Sequence, residues 1–317
     1  PHVAEGRIAF ADSQGNVSVV DAQTGKDIWR IKLDQPITAG VGGDDKSVAV
    51  VTRSNELVVL RDGQVQWRQS LMAETFTAPL VAGGRVFALS GDRRVHAFDA
   101  ATGRRLWNQQ RTGEPLVLRQ NGLLMPFKNT LLVGFSGRLA GLNPDTGLSR
   151  WEIPIATPRG LNDMERLVDL LGPGYRAGDW VCVRAFQAQV GCVDAERGLA
   201  LWSRASTGER ALVGSGQQVF SVLSNGVVQA IDIKTGERVW ENERLKYRPL
   251  GAPLVTSKGL LIGDGGGWLY LLSLTDGKLL NRVRLEGQEL AAPPVLIGDS
   301  QFLTVTREGR VTAWRMP

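Results

Sequence analysis

The chain has 317 residues, of which 43% are hydrophobic and 22% charged, a composition typical of a globular protein with ample material for a core. Because no run of about 18 apolar residues occurs, the sequence predicts no membrane-spanning helix. The net charge of +5 is spread among acidic residues, which favours a solvated surface over binding to nucleic acid.

One nine-residue phrase recurs along the chain. It reads DAQTGKDIW at 21–29, DAATGRRLW at 99–107, NPDTGLSRW at 143–151, DAERGLALW at 194–202 and DIKTGERVW at 232–240, with weaker copies at 61–67 and 273–281. The copies end at 29, 67, 107, 151, 202, 240 and 281, so their spacing runs from 38 residues (29 to 67) to 51 residues (151 to 202). Most of these intervals lie near the period of about 40–45 residues that is typical of β-propeller blades.

The residue types of the phrase predict a strand, a turn and a second strand. Alternating apolar runs such as NVSVVD and RVHAFD precede it and are typical of half-buried strands. The Asp and the Thr-Gly pair favour a turn, since Gly adopts positive φ without a steric clash. The Trp follows four residues later, where we expect it to cover the junction between neighbouring blades. These residues are Trp29, Trp67, Trp107, Trp151, Trp202 and Trp240.

Two further strands precede each alternating run, which gives four strands in every repeat. We therefore predict an all-β, eight-bladed β-propeller of four-stranded antiparallel blades, forming a single domain over 1–317. Blade ends are expected near 33, 71, 111, 155, 206, 245 and 285. The remaining residues, 286–317, supply three strands, so the last blade lacks its outer strand in this chain. Residues upstream of Pro1 could supply it.

Two connections between blades are longer than the repeat requires. The first is TGEPLVLRQNG at 112–122, and the second is the stretch 154–178. In the second, Leu161, Met164, Leu167 and Leu171 have helical spacing, and Asn162 or Asp163 could cap a short helical turn. In a propeller, both connections would open on the same face and form one surface. Leu116, Leu118 and Arg119 would then either bind a partner or pack under their own loop.

The cysteines and histidines restrict the chemistry of the chain. His2 and His96 are too few for a histidine zinc site or a catalytic triad. Cys182 and Cys192 flank a predicted hairpin and can face each other across two strands. They would form a disulfide in an oxidising compartment, whereas buried free thiols are the alternative.

An enzymatic alternative follows from the recurring phrase, which resembles the repeat of pyrroloquinoline-quinone (PQQ) dehydrogenases. Those enzymes carry a vicinal disulfide and a calcium site, whereas the cysteines here are ten residues apart and no cluster of Glu, Asn and Asp stands out. The glycine-rich GDGGGW at 263–268 is followed by a strand pattern rather than a helix, which favours a turn over a phosphate-binding loop. A PQQ-dependent oxidoreductase and a ligand-binding propeller both remain as alternatives.

The repeat and the two long connections together resemble the BamB family, the lipoprotein subunits of the outer-membrane β-barrel assembly machine. The Leu-x-Leu-Arg stretch of the family's first crossover is matched by Leu116, Leu118 and Arg119. Its acidic, Arg-Leu-containing stretch in the second crossover is matched by Glu165, Arg166 and Asp169.

This resemblance implies a scaffold that is not an enzyme and needs no cofactor. It places the protein at the periplasmic face of the outer membrane of a Gram-negative bacterium, held by a lipid on an N-terminal cysteine that is absent from this chain. It also implies binding to the POTRA domains of BamA, and contact with unfolded outer-membrane proteins by addition of a strand. Leu116 and Leu118 would be apolar anchors and Arg119 a hydrogen-bond donor, while Glu165 and Asp169 would shape the loop or meet a basic partner residue.

Overall fold

The structure is a computed structural model that describes residues 1–113, 116–163, 165–286 and 289–316. Every regular element in these ranges is a β-strand. No helix formed by the described residues is long and apolar enough to cross a membrane. The chain divides into two compact units, the first containing Pro1–Glu152 and Pro158–Asp169 and the second containing Ile153–Thr157 and Leu170–Pro317.

The first unit contains four antiparallel sheets, each built from four strands that pair in chain order. In three of these four sheets, the two middle strands are buried at consecutive positions and therefore on both faces, whereas the alternating pattern predicts half-buried strands. The strands of the four sheets are β1 His2–Ala4, β2 Arg7–Ala11, β3 Asn16–Asp21 and β4 Asp27–Lys32; β5 Gly42–Gly43, β6 Val48–Val51, β7 Glu56–Arg61 and β8 Gln64–Ser70; β9 Leu80–Ala82, β10 Arg85–Leu89, β11 Arg94–Asp99 and β12 Arg105–Gln110; and β13 Leu124–Phe127, β14 Thr130–Phe135, β15 Arg138–Leu142 and β16 Ser149–Pro154.

The second unit contains three four-stranded sheets and a last sheet of three described strands. Its strands are β17 Leu170–Ala177, β18 Trp180–Ala185, β19 Gln189–Asp194 and β20 Leu199–Ala205; β21 Val213–Ser215, β22 Gln218–Val222, β23 Val228–Asp232 and β24 Arg238–Asn242; β25 Leu254–Thr256, β26 Gly259–Gly263, β27 Trp268–Leu272 and β28 Leu279–Arg284; and β29 Val295–Gly298, β30 Gln301–Val305 and β31 Val311–Arg315.

These sheets confirm the predicted all-β fold class of an eight-bladed β-propeller whose last blade has three strands. The outermost strands of the first seven sheets end one to three residues before the predicted blade ends. They end at Lys32, Ser70, Gln110, Pro154, Ala205, Asn242 and Arg284. A single domain over 1–317 stays a prediction.

The recurring phrase forms the turn between the third and fourth strands of a sheet. In the β11–β12 turn, Asp99 Oδ1 accepts hydrogen bonds from the backbone N–H groups of Ala101 (3.1 Å) and Thr102 (2.8 Å) and from the Thr102 hydroxyl (2.8 Å). Asp21 and Asp232 accept backbone hydrogen bonds at the same places in their turns. The Asp therefore satisfies backbone donors that the tight turn leaves unpaired.

The tryptophan on the fourth strand of one sheet packs against the turn between the third and fourth strands of the next sheet and donates a hydrogen bond to it; we call this contact the lock. Trp67 Nε1 donates to the carbonyl oxygen of Ala100 at 3.0 Å, and a Cβ added at Gly103 would come within 2.6 Å of the Trp67 ring. The turn thus needs a glycine both for its φ of +71° and for the space that the indole ring fills. The same indole-to-carbonyl bond joins Trp107 to Pro144, Trp202 to Ile233 and Trp240 to Leu274. Trp29 lies against Gly63 of the next sheet, and Trp151 against Gly141 of its own.

Cys182 and Cys192 form a disulfide between directly paired positions of β18 and β19, with their Cα atoms 4.0 Å apart. Both residues are buried in the apolar core of the second unit. The bond closes a short hairpin and joins two strands that already share a ladder. It therefore restrains one blade rather than the packing of several.

His96 is a fully buried histidine in β11. Its Nε2 lies 3.2 Å from Ser90 Oγ, and its ring stacks on Phe98. Burial lowers the pKa of His96 to about 4; Asp92 opposes this shift, and Arg105 and Arg94 add to it. The histidine is therefore a neutral core residue at neutral pH.

Replacing Gly103 with Ala tests the lock between tryptophan and glycine. Gly103→Ala combines the cost of a left-handed alanine, about 1 kcal/mol, with overpacking against Trp67, about 1–3 kcal/mol. Gly25 is the matched control, because it has a similar φ of +68° and nothing within 4 Å of an added Cβ. Chemical denaturation should show a clearly larger loss of stability for Gly103→Ala, and equal losses would contradict the lock.

The buried histidine predicts a loss of stability in acid. Because the pKa of His96 is about 4 in the folded protein and 6.5 ordinarily, the unfolded chain binds the proton first as the pH falls. Stability is then present above about pH 6.5 and is lost towards pH 4, by about 2 kcal/mol at pH 4.5. In His96→Gln, the difference between the unfolding free energies at pH 7 and pH 4.5 should shrink by that amount. An unchanged difference would show that other groups cause the acid sensitivity.

Candidate functional site

The first long connection, between β12 and β13, is fixed at several points along its length. The Ala78 N–H donates to Asn121 Oδ1 at 2.9 Å, and the Gly122 N–H donates to Thr77 Oγ1 at 3.0 Å. Further back, Val117 lies against the β10–β11 turn, where a Cβ added at Gly91 would be 3.5 Å from Val117 Cγ2. The first long connection is therefore held against two neighbouring segments, the β8–β9 connection and the β10–β11 turn. Its residues Glu114 and Pro115 lie outside the described residues.

Within the segment 116–119, Leu116 and Arg119 are exposed, whereas Val117 and Leu118 are half-buried. Leu116 is 37% exposed, so part of its apolar surface is open to solvent. The Arg119 side chain is 77% exposed; its Nη2 lies 3.3 Å from Glu74 Oε2, and its guanidinium lies 5.4 Å from the centre of the Phe76 ring. Leu118 is half-buried. The segment thus presents an apolar group next to an accessible guanidinium.

The second long connection, between β16 and β17, contains one helical turn, as predicted. The Glu165 N–H donates to Asn162 Oδ1 at 3.0 Å, and the Arg166 N–H donates to the Asn162 carbonyl at 3.2 Å. Asn162 is therefore the cap. The Glu165 carboxylate accepts a hydrogen bond from the Leu161 N–H at 2.7 Å and packs on Gly160, whose φ is +131°.

The apolar residues of this connection divide between the interior and solvent. Leu167 and Val168 are buried, and Leu171 is buried at the start of β17. Leu161, in contrast, is fully exposed at the outer end of the connection. The predicted helical spacing is therefore wrong at Leu171, which lies on β17, and the connection ends at Asp169 rather than at 178. Met164, the fourth residue of that spacing, lies outside the described residues.

Asp169 joins the two connections. Its Oδ2 accepts a hydrogen bond from the Leu118 N–H at 3.0 Å. Its Oδ1 accepts from Arg93 Nη1 at 3.0 Å and from the Ser136 N–H at 3.1 Å. Arg93 Nη2 also donates to the Leu116 carbonyl at 2.9 Å. One carboxylate and one guanidinium therefore hold four chain segments together.

We use the name crossover surface for five residues of the two connections, the exposed Leu116, Arg119, Leu161 and Glu165 and the half-buried Arg166. Among the sequence-predicted site residues, the structure brings Leu116, Leu118 and Asp169 together directly. Arg119 instead contacts Glu74 and Phe76 of the β8–β9 connection. Glu165 and Arg166 belong to the capped turn.

Sequence reasoning missed Leu161 and Arg93 as parts of this site. Leu161 stands between Gly160 and Asn162, and an apolar residue at a loop tip is a signal that could have indicated exposure. Arg93 is one of a pair of arginines in an ordinary hairpin turn, about 76 positions before its partner Asp169. Its role depends on a long-range contact that leaves no local pattern.

The glycine-rich stretch at 263–268 is the β26–β27 turn, as predicted. Asp264 Oδ1 accepts hydrogen bonds from the Gly266 and Trp268 N–H groups, both at 2.9 Å. Its Oδ2 accepts from the Tyr270 hydroxyl (2.8 Å) and from Arg248 Nη1 (3.1 Å). Burial, together with the hydrogen bond to Asp264, raises the pKa of Tyr270 to about 12. Both oxygens of the Asp264 carboxylate are therefore already hydrogen-bonded to groups of the protein.

A calcium–quinone site needs several oxygen donors that converge on one point. Within the described ranges, no three His, Cys, Asp or Glu side chains lie close enough together to hold a metal ion. The disulfide also differs from the vicinal type, because it links residues ten positions apart across two strands. The described residues therefore do not fit the site that a PQQ dehydrogenase would require.

The fold and the site together define a class: a β-propeller of Trp-locked blades with a surface built from two long connections. A family model described as outer membrane protein assembly factor BamB matches residues 13–242 and 211–317. A protein of that description from Burkholderia pseudomallei is 34% identical over 311 residues, which cover 97% of this chain and 81% of the relative. The chain belongs to the BamB family.

Solved structures agree with this fold. The crystal structure of BamB from Moraxella catarrhalis has a TM-score of 0.89 at 24% identity and covers 98% of this chain and 94% of that chain. A quinohemoprotein alcohol dehydrogenase from Comamonas testosteroni has a TM-score of 0.73 at 13% identity, covering 94% of this chain and 68% of that chain. At these identities, both likenesses concern the fold alone.

The cap of the second connection can be tested at Asn162. Asn162→Ala removes the acceptor for the Glu165 N–H, which should cost about 1 kcal/mol locally and speed amide exchange at Glu165 and Arg166 about fivefold. Asp163→Ala is the control, since this exposed neighbour was the other predicted cap. Equal acceleration in both variants would show that Asn162 is not the cap.

Proposed function

We propose that this chain is a non-catalytic scaffold subunit of the outer-membrane β-barrel assembly machine, and that its crossover surface binds the periplasmic POTRA domains of BamA. Membership of the BamB family supports the role in outer-membrane protein assembly. The observation that carries the binding proposal is the junction of the two long connections at Asp169, which holds the backbone beside the exposed Leu116 and Arg119. Leu161 is exposed in the second connection.

The chemistry of this surface suits a protein partner. Leu116 and Leu161 offer apolar area that water solvates poorly, and Arg119 offers several N–H donors in a fixed plane. Arginine and large apolar groups commonly supply most of the binding energy at protein interfaces. The fitting partner would bring apolar pockets together with a carboxylate or carbonyl acceptor for Arg119. The Glu74 contact of Arg119 is solvent-exposed and weak enough to be exchanged.

The disulfide supports an oxidising compartment. Cys182 and Cys192 are bonded in the structure, and such bonds persist in the bacterial periplasm but rarely in the cytosol. We place the protein at the periplasmic face of the outer membrane of a Gram-negative bacterium, attached by the N-terminal lipid that the family resemblance implies. The poor fit of the described residues to a calcium–quinone site argues for a scaffold over a PQQ-dependent oxidoreductase.

Binding to a purified BamA POTRA fragment tests this function. Leu116→Ala, Leu161→Ala and Arg119→Ala should each raise the dissociation constant by roughly tenfold or more, because each removes about 1.4–2 kcal/mol of interface energy. The measurement is isothermal titration calorimetry or a quantitative pull-down with the full chain.

Matched controls come from the same unit of the protein. Leu148 is an exposed leucine in the β15–β16 turn, and Arg104 is an exposed arginine in the β11–β12 turn. Leu148→Ala and Arg104→Ala should leave the dissociation constant within about twofold of the parent. If the crossover variants bind as the controls do, the surface is misassigned; if the parent itself does not bind, the proposed partner is wrong.

A further inference from the structure

Arg93 has an unfavourable backbone conformation and a buried charge in the β10–β11 turn. Its backbone has a φ of +61°, which a non-glycine residue rarely adopts, and its side chain is 8% exposed. The neighbouring Arg94, in contrast, lies on β11 and pairs with Asp92 and Gln110 at the surface of the same hairpin. A buried charge in a strained turn is kept only where its contacts compensate.

Those contacts are made to the first connection and to Asp169. Arg93 Nη2 donates to the Leu116 carbonyl at 2.9 Å, and Nη1 donates to Asp169 Oδ1 at 3.0 Å. Asp169 Oδ2 in turn accepts from the Leu118 N–H at 3.0 Å. The pair thus grips the backbone on both sides of Val117, whose side chain faces Gly91.

These hydrogen bonds of Arg93 and Asp169 determine which side chains of the first connection are exposed to solvent. With the Leu116 carbonyl and the Leu118 N–H both bonded inward, and Val117 seated against the turn, Leu116 and Arg119 are the groups that project outward. A loop released from these bonds would sample many orientations and would have to be ordered again upon binding. The pair therefore pre-organises the crossover surface.

Asp169 is poorly suited to contact a partner itself. Its side chain is only 16% exposed, and its two oxygens accept three hydrogen bonds from Arg93, Leu118 and Ser136. A partner donor would have to displace one of these bonds. The bonds are charge-assisted and largely shielded from water, so displacement would be unfavourable.

We propose that Arg93 and Asp169 are positioning residues that set the presentation of Leu116 and Arg119, and that Asp169 acts through this internal ion pair rather than by touching the partner. This inference rests on the proposed function of the crossover surface, but its structural half is measurable without a partner.

The test combines amide hydrogen exchange with binding, using the full chain. Asp169→Asn should speed exchange at the Leu118 and Ser136 amides by at least tenfold and weaken binding to the POTRA fragment by at least fivefold. Arg93→Lys keeps the charge but cannot bond Asp169 and the Leu116 carbonyl in the same planar fork, so it should give an intermediate effect. Arg94→Lys in the same hairpin is the control and should change neither quantity.

The outcomes separate the two proposals. Weaker binding of Asp169→Asn with unchanged exchange at Leu118 would overturn the inference, because Asp169 would then contact the partner directly. Unchanged exchange in both Asp169→Asn and Arg93→Lys would overturn it as well. Faster exchange in these variants, with Leu116→Ala and Arg119→Ala binding normally, would support the internal role of the pair while removing the proposed function of the surface. Arg93→Lys keeps the test usable if Asp169→Asn fails to fold.

Discussion

The packing of a tryptophan ring on the glycine of the next turn is the constraint on which the rest of the fold depends. The indole of Trp67 fills the space that a side chain at Gly103 would need, and its N–H is paired with a carbonyl of the same turn. The number of residues between a tryptophan and the glycine of the next turn must therefore match the spacing of the blades. An insertion or deletion within a strand or turn would move the ring away from its glycine. In five of the seven copies of the recurring phrase, the Asp or Asn, the Gly and the Trp accordingly keep the same spacing.

Length can vary only where that lock is not involved, and the connections between blades are such places. Two of them are long, and they are ordered by polar bonds together with buried apolar residues such as Leu167 and Val168. Asp169 alone satisfies two backbone N–H groups and one guanidinium drawn from three other segments. The rigid repeat thus fixes where the two connections begin and end, and a single buried ion pair fixes how they meet. The exposed leucines and Arg119 are the consequence of this arrangement rather than its cause.

Most of the fold could be predicted from the sequence, because its signals are local and the recurring phrase appears in seven of the eight blades. Alternating residues predict the strands, and the Asp, Thr-Gly and Trp positions predict the turns. The arrangement of the candidate site was harder to predict from the sequence. A Leu-Val-Leu-Arg stretch does not reveal that Val117 is half-buried while Leu116 is exposed, since the backbone there is held by Arg93 and Asp169, far away in the sequence. The capped turn at Asn162 was predictable from residue types, whereas the full exposure of Leu161 depends on how the loop folds back.

The lock between blades also has a direction. A repeat contributes its tryptophan to the turn that follows and its glycine to the tryptophan that precedes it, as Trp67, Gly103, Trp107 and Gly147 illustrate in succession. Each unit of the sequence therefore carries one half of two different interfaces. Copying a whole unit adds a complete pair of matching halves, whereas copying part of one leaves a ring without a partner or a gap without a ring. Where this contact occurs, a whole repeat is therefore the smallest stretch of sequence that keeps both halves together.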